Sequence, residues 1–201
     1  MGDRTPYQKA IAAHRQGDHQ LAADIFEDML IDDPDNSQVL YNLGNVYADM
    51  EKYELAIDCY LTALDHEQEI ASIWYNLANA YLEQKDYDKA VDAYDHAVKL
   101  RDTYVEAWFN RGVALTEAEE HDEAITSYQQ AVKLDPNFHY AWYNLACLFA
   151  NRADLRQSLH CLKQAIDTMG DDPDYREMAL DDPYFEPIRT HPEFLKLLRV
   201  A

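Results

Sequence analysis

Glycine and proline are scarce in this chain, with 5 and 7 among 201 residues. That scarcity argues against low-complexity, disordered segments and against β-architectures that turn often. Cysteine is scarcer still: Cys59, Cys147 and Cys161. An odd number with no Cys-x-x-Cys spacing does not make a disulfide framework. The simplest role for such residues is as small apolar side chains at helix contacts. Basic residues are few, 17 Lys and Arg against 38 Asp and Glu, for a net charge of −21. The acid excess is uneven. Residues 3–36 carry 8 acids and 3 bases, and 37–70 carry 7 and 1, so about half of the net charge sits there. Nucleic acid and anionic membrane would both be repelled, whereas a basic protein segment would be attracted. The same charge also favours solubility.

Long apolar runs are missing too. None reaches the roughly 18 residues that a membrane helix needs. The first ten residues, MGDRTPYQKA, contain no apolar stretch of the secretory kind. Pro6 stands where a myristoylation pattern needs Ser or Thr. These features lead to the expectation of a cytoplasmic protein. Catalytic signatures are absent as well: no glycine-rich phosphate loop, nucleophile elbow or His-Glu-x-x-His. His160 and Cys161 are adjacent, but neighbours on a helix point about 100° apart and do not converge on one ion. The other histidines show no ligand spacing. Glu117, Glu119, Glu120, Asp122 and Glu123 make an acidic turn without the spaced ligands and central glycine of a calcium loop. The expectation is a protein that is not an enzyme and that uses neither metal nor cofactor.

What the chain has is a period. Trp74, Trp108 and Trp142 are separated by 34 residues twice. Asn42, Asn76, Asn110 and Asn144 keep the same step, as do Ala56, Ala90 and Ala124, then Tyr60, Tyr94 and Tyr128, then Ala63, Ala97, Ala131 and Ala165. A repeat of this length is one supersecondary unit that buries its apolar face only by stacking on its neighbours. Within 71–104, Trp74, Leu77, Ala78 and Tyr81 form the i, i+3, i+4, i+7 stripe of a first helix. Gln84-Lys85-Asp86 reads as a turn whose Asp86 caps a second helix, marked by Ala90, Tyr94, Ala97 and Val98. Thr5-Pro6 is a helix start, with a hydroxyl N-cap before proline at the first helical position.

These columns resemble the tetratricopeptide repeat, whose 34-residue pattern is Trp, Leu, Gly/Ala/Ser, Tyr, Ala, Phe/Tyr, Ala and Pro. The unit 71–104 matches all but the last, having Asp102. Units 37–70, 105–138 and 139–172 depart at Leu40 and Gln68, at Arg111 and Leu115, and at Ser158 and Leu162. The unit 3–36 is degenerate at first and recovers with Ala22, Phe26 and Pro34, as a terminal repeat does. The resemblance covers 3–172 as five repeats. It implies an all-α fold, a right-handed superhelical α-solenoid of helix-turn-helix units. The segment 173–201 leaves the period at Pro173, Asp182-Pro183, Pro187 and Pro192, and is similar to the tails that close many bacterial arrays. Tyr184, Phe185, Ile188, Phe194, Leu197 and Leu198 would cover the last exposed face.

The resemblance also implies a site. In this family the first helix of each repeat lines a concave groove, with repeat positions 5, 6 and 9 among those that face a ligand. Position 5 is Tyr41, Tyr75, Phe109 and Tyr143; position 6 is Asn42, Asn76, Asn110 and Asn144; position 9 begins Asn45 and Asn79. Asparagine donates and accepts, so such a ladder can hold a peptide backbone, while the rings offer rigid contact area. The arrays of O-GlcNAc transferases are similar in this respect, although Tyr-Asn is also near the family's average sequence. The family's carboxylate clamp needs cations that this chain lacks, offering Tyr41, Asn45, Asn76, Glu106 and Asn110 instead. The resulting expectation is a scaffold that binds a peptide or helical segment of another protein in that groove, with the acid excess favouring a basic segment. Self-assembly into homo-oligomers by end-to-end or groove packing is the alternative.

Overall fold

The structure is a computed structural model that describes residues 4–67, 69–169 and 175–198. Gln68 and Pro173, a departure and a break in the repeat pattern, lie outside those residues, as do Asp3 and the last three positions. No strand occurs among the described residues. The chain divides into two compact units, Met1–Asp102 and Thr103–Ala201.

Among the described residues, the first unit holds six helices: α1 (Pro6–Arg15), α2 (His19–Asp32), α3 (Ser37–Asp49), α4 (Tyr53–His66), α5 (Ala71–Glu83) and α6 (Tyr87–Leu100). Each packs on the next in chain order. The chain enters through a capping box in which Thr5 accepts from the Gln8 amide and the Gln8 side chain accepts from the Thr5 amide. Asp86 caps α6 by accepting from the Lys89 amide, as the sequence predicts. The alanine columns are sealed: Ala22, Ala56, Ala63, Ala90 and Ala97 have no exposed surface. Beside them Phe26, Tyr60 and Tyr94 are at most 1% exposed and fill the space that small residues leave. Gly44 lies so close to Tyr60 that a Cβ there would sit 2.5 Å from the ring.

The second unit repeats the scheme with α7 (Val105–Glu117), α8 (His121–Leu134), α9 (His139–Asn151) and α10 (Leu155–Thr168), followed by α11 (Tyr175–Asp181), a 3-10 turn (Pro183–Ile188) and α12 (Pro192–Leu197). Pro183 and Pro192 open their helices at positions where a missing N–H costs nothing. Phe185, Ile188, Phe194 and Leu198 are buried, while Tyr184 and Leu197 are half-buried. The 3-10 turn lies on α9, and α11 and α12 touch α10.

One backbone column is invisible in the residue types. Gly17, Glu51, Lys85, Glu119 and Ala153, each 34 residues after the last, all have φ between 55° and 80°. Each follows the first helix of a repeat. The next amide bonds back five residues, Asp18 to Ala13, Lys52 to Tyr47, Asp86 to Tyr81, Glu120 to Leu115 and Asp154 to Phe149. This is the left-handed helix stop that glycine fits best, yet only one of the five is glycine.

Candidate binding surface

In the first unit, the asparagines of the repeat pattern are bonded into the fold. Asn42 Nδ2 donates to the Tyr7 hydroxyl at 3.1 Å and to the Gln38 carbonyl at 2.6 Å. One repeat on, Asn76 Nδ2 donates to the Tyr41 hydroxyl at 3.3 Å and to Asn45 Oδ1 at 2.8 Å. Asn45 Oδ1 also accepts from the buried Tyr60 hydroxyl at 2.8 Å, and Asn79 Oδ1 accepts from Tyr94 at 2.5 Å. Position 9 therefore answers a buried tyrosine of its own repeat, and position 6 reaches the previous first helix. Burial first, and then the nearby Tyr41, push the Tyr60 hydroxyl well above its ordinary pKa. Tyr41 and Tyr75 stand beside Tyr60 and Tyr94, with ring centres 6.3 and 6.0 Å apart.

A cavity of about 350 Å³ opens on this seam, lined by Asn45, Asp49, Tyr53, Asn76, Asn79 and Glu83 among others. Among the described residues, its lining includes carboxylates and no Lys or Arg.

In the second unit, position 9 changes to Val113 and Cys147. The buried Tyr128 hydroxyl bonds Thr116 at 3.1 Å and has Asn144 as a further partner. Asn110 is half-buried on α7. Phe109 packs edge-on against Phe138, with centres 5.1 Å apart, and lies 6.4 Å from Tyr140, which is 46% exposed. Tyr143 is only 6% exposed. It stacks on Tyr175 at 4.5 Å, and its hydroxyl donates to Asp182 Oδ2 at 3.0 Å. Cys147 Sγ donates to the same oxygen at 3.6 Å. Burial first, with the Asp182 charge next, raises the Cys147 thiol well above its usual range. The chain's own tail thus covers positions 5 and 9 of the last repeat. A smaller cavity of about 190 Å³ remains beside Asp182 and Tyr184.

Three residues come together that their spacing in the chain does not suggest. Potential ligand atoms of His14, His19 and Asp49 all lie within 4.8 Å of one another. The sequence shows no ligand spacing among the histidines, and it is the fold that brings these three residues together. His14 lies in the last turn of α1 and His19 begins α2, with Gly17 turning the backbone between them, and Asp49 ends α3. Tyr175 and Asp182 are further residues that the repeat pattern does not mark. Only the Asp-Pro pair at 182–183 signals one of them, as a cap accepting from the Tyr184 amide at 2.9 Å.

The family model described as the cilia and flagella-associated protein 70 C-terminal domain, a tetratricopeptide-repeat model, matches residues 8–174. No curated protein matches the chain by sequence. Among solved structures, MamA is similar at TM-score 0.78 and 23% identity, with 80% of this chain and 94% of that chain covered. YrrB, described as a TPR protein with an unusual peptide-binding site, is similar at TM-score 0.76 and 24% identity, covering 86% and 89%. The first TPR of Spaghetti, bound to the HSP90 peptide SRMEEVD, is 31% identical at TM-score 0.57 over 58% of this chain and 93% of that one. With the 34-residue columns, the helical hairpins and a family match over most of its length, the chain belongs to the tetratricopeptide-repeat family.

Proposed function

We propose that the chain is a protein-interaction scaffold and that the unit Met1–Asp102 takes a Lys- or Arg-bearing segment of another protein into the cavity on α3 and α5. The observation that carries this reading is that cavity, about 350 Å³ and lined by Asp49 and Glu83, by amides and by the rings of Tyr53 and Tyr60. Solved relatives support the general mode, since YrrB is described with a peptide-binding site and Spaghetti holds a peptide. The asparagines serve by fixing the shape of the surface, because their hydrogen bonds run within the fold. Apolar residues of the segment would lie beside Tyr75 in this unit. In the second unit Phe109 and the exposed Tyr140 offer a like surface.

The chain does not present the cations of a carboxylate clamp. Tyr41, Asn45, Asn76, Glu106 and Asn110 occupy those positions, and Glu106 repels a carboxylate. An acidic tail such as SRMEEVD is therefore a poor ligand. Fluorescence anisotropy with labelled basic, neutral and acidic peptide libraries tests the proposal. Basic peptides should bind, Glu83→Lys should weaken them by about tenfold, and the association rate should fall as salt rises from about 0.05 to 0.5 M. Equal binding of acidic peptides, or indifference to both Glu83→Lys and salt, overturns it.

A further inference from the structure

We infer that His14, His19 and Asp49 form a binding site for a divalent late first-row metal ion of the Zn²⁺ class. Their potential ligand atoms lie within 4.8 Å of one another. The two rings are 5.4 Å apart at 66°, and His14 Nε2 is 2.7 Å from Asp49 Oδ2. A hydrogen bond tying α1 to α3 accounts for that last distance. It does not account for His19, whose Nδ1 is buried with no hydrogen-bond partner among the described residues. A buried ring nitrogen without a partner is costly, and an ion bound through that nitrogen would satisfy it.

The donor set selects the ion. Two imidazoles and one carboxylate suit Zn²⁺, Co²⁺, Ni²⁺ or Cu²⁺, whereas Ca²⁺ and Mg²⁺ prefer all-oxygen cages. Bonds of about 2.0–2.2 Å around a tetrahedral ion place ligand atoms roughly 3.3–3.6 Å apart. Closing on the ion thus needs side-chain shifts of about 1 Å. The Asp49 side chain is 56% exposed and has room to make them. Water or a partner's side chain would take the fourth position.

The set is also local to one junction. The corresponding residues are Ala48, Tyr53 and Glu83 at the next repeat, and Thr116, His121 and Asn151 near the end. It is therefore not a device that the repeat requires everywhere. The 35-residue step from His14 to Asp49 is the step of the Tyr7–Asn42 and Tyr41–Asn76 bonds. Consecutive first helices place such pairs in contact, and the Gly17 turn then brings in His19. A bound ion would tie α1, α2 and α3 together.

Zn²⁺ added to the whole chain in a non-chelating buffer, followed by calorimetry, tests the site. One ion per chain should bind. At Zn²⁺ about a hundredfold above its dissociation constant, the melting temperature of the unit Met1–Asp102 should rise by roughly 10 °C or more. Co²⁺ should bind with the visible absorption of a low-coordinate site, and Mg²⁺ should not compete. His14→Ala, His19→Ala and Asp49→Asn should each weaken Zn²⁺ by at least about tenfold, and His66→Gln should not. Should a variant lose its helical circular dichroism, the ring-nitrogen NMR signals of His14 and His19 in the unaltered chain decide the matter, since both must shift on Zn²⁺ addition. Absence of one-to-one binding, unchanged affinity in folded His14→Ala and His19→Ala proteins, or unmoved ring signals overturns the inference.

Discussion

The same repeat positions meet two fates in the two units. On α3 and α5 of the first unit, position 9 is Asn45 and Asn79, each accepting from a buried tyrosine hydroxyl, and a polar cavity stays open beside them. On α7 and α9 of the second unit, position 9 is Val113 and Cys147. The last face there is covered by Tyr175, Phe185 and Asp182 of the chain's own tail. The difference teaches that side-chain polarity at one position sorts surfaces of a common fold. Amides leave a polar face with an open cavity. Aliphatic and thiol groups make a face that must be covered, and the tail supplies both the apolar cover and one carboxylate for the two donors beneath it.

The largest effect should come from uncovering that second face. Phe185 has no exposed surface and stacks on Phe194, with ring centres 5.4 Å apart at 27°. Phe185→Ala should cost about 3–5 kcal/mol of the stability of its unit. Tyr41→Phe on the open face removes one hydroxyl and should cost no more than about 1 kcal/mol. Urea denaturation followed by circular dichroism and tryptophan fluorescence measures both, and similar losses would erase the distinction between a covered and an open face.

Alkaline pH should separate the units next. Beneath the tail, burial first and then neighbouring groups, Asp182 among them, raise Tyr143 and Cys147 above their ordinary values of 10.0 and 9.0. Burial pushes Cys161 up to about 12, and likewise Cys59 in the first unit. A group whose folded pKa is raised contributes stability that is fully present below its unfolded pKa and is lost as pH rises through the folded value. Stability should therefore be insensitive to these groups below about pH 9 and fall between about 9 and 12. The tail should detach first, because ionised Tyr143 or Cys147 would face the Asp182 carboxylate. Near-ultraviolet spectra should show the environment of Trp142 changing before that of Trp74. The reverse order would mean that the tail does not depend on those two protons.

A smaller loss should come from the polar seam. Asn76→Ala strands the Tyr41 hydroxyl and one bond to Asn45 on a half-buried surface, at about 1–3 kcal/mol. A chain that melts unchanged would mean that water replaces both bonds and that Asn76 is free to serve a ligand.

Legibility in the sequence follows the reach of each interaction. Contacts inside one hairpin repeat every 34 residues, so the Ala, Tyr and Trp columns and the Asp86 cap stand out, as does the tail's Phe185, Ile188, Phe194 set between prolines. Contacts between consecutive first helices run at 31 and 35 residues, as in Asn45–Asn76 and His14–Asp49. A search at the repeat period passes over them. The asparagine column is therefore plain while its internal bonding is not, and the histidines look unrelated until the Gly17 turn is folded. Asp182 serves through a side chain that no periodicity marks.

The left-handed column gives the finest comparison, since it tests what the fold imposes against what the residues prefer. Glu51 and Lys85 in the first unit, and Glu119 and Ala153 in the second, hold φ of 58°, 61°, 63° and 55°. A side chain in that region costs about 1–2 kcal/mol, which glycine avoids. Glycine in turn loses more freedom on folding, so the net gain on substitution is smaller. Ala153→Gly should stabilise its unit by roughly 0.5–1 kcal/mol, and Lys85→Gly should do the same for the other. At Gly17, a Cβ meets nothing within 4 Å, so Gly17→Ala isolates the backbone term and should cost about 1 kcal/mol. Equal and opposite shifts at Gly17 and Ala153 in denaturation midpoints would establish that every repeat pays the same conformational cost at its turn. A gain at Ala153 with no loss at Gly17 would show that the first turn is held open by something other than its φ, and the His14–His19 contact across that turn is the feature to vary next.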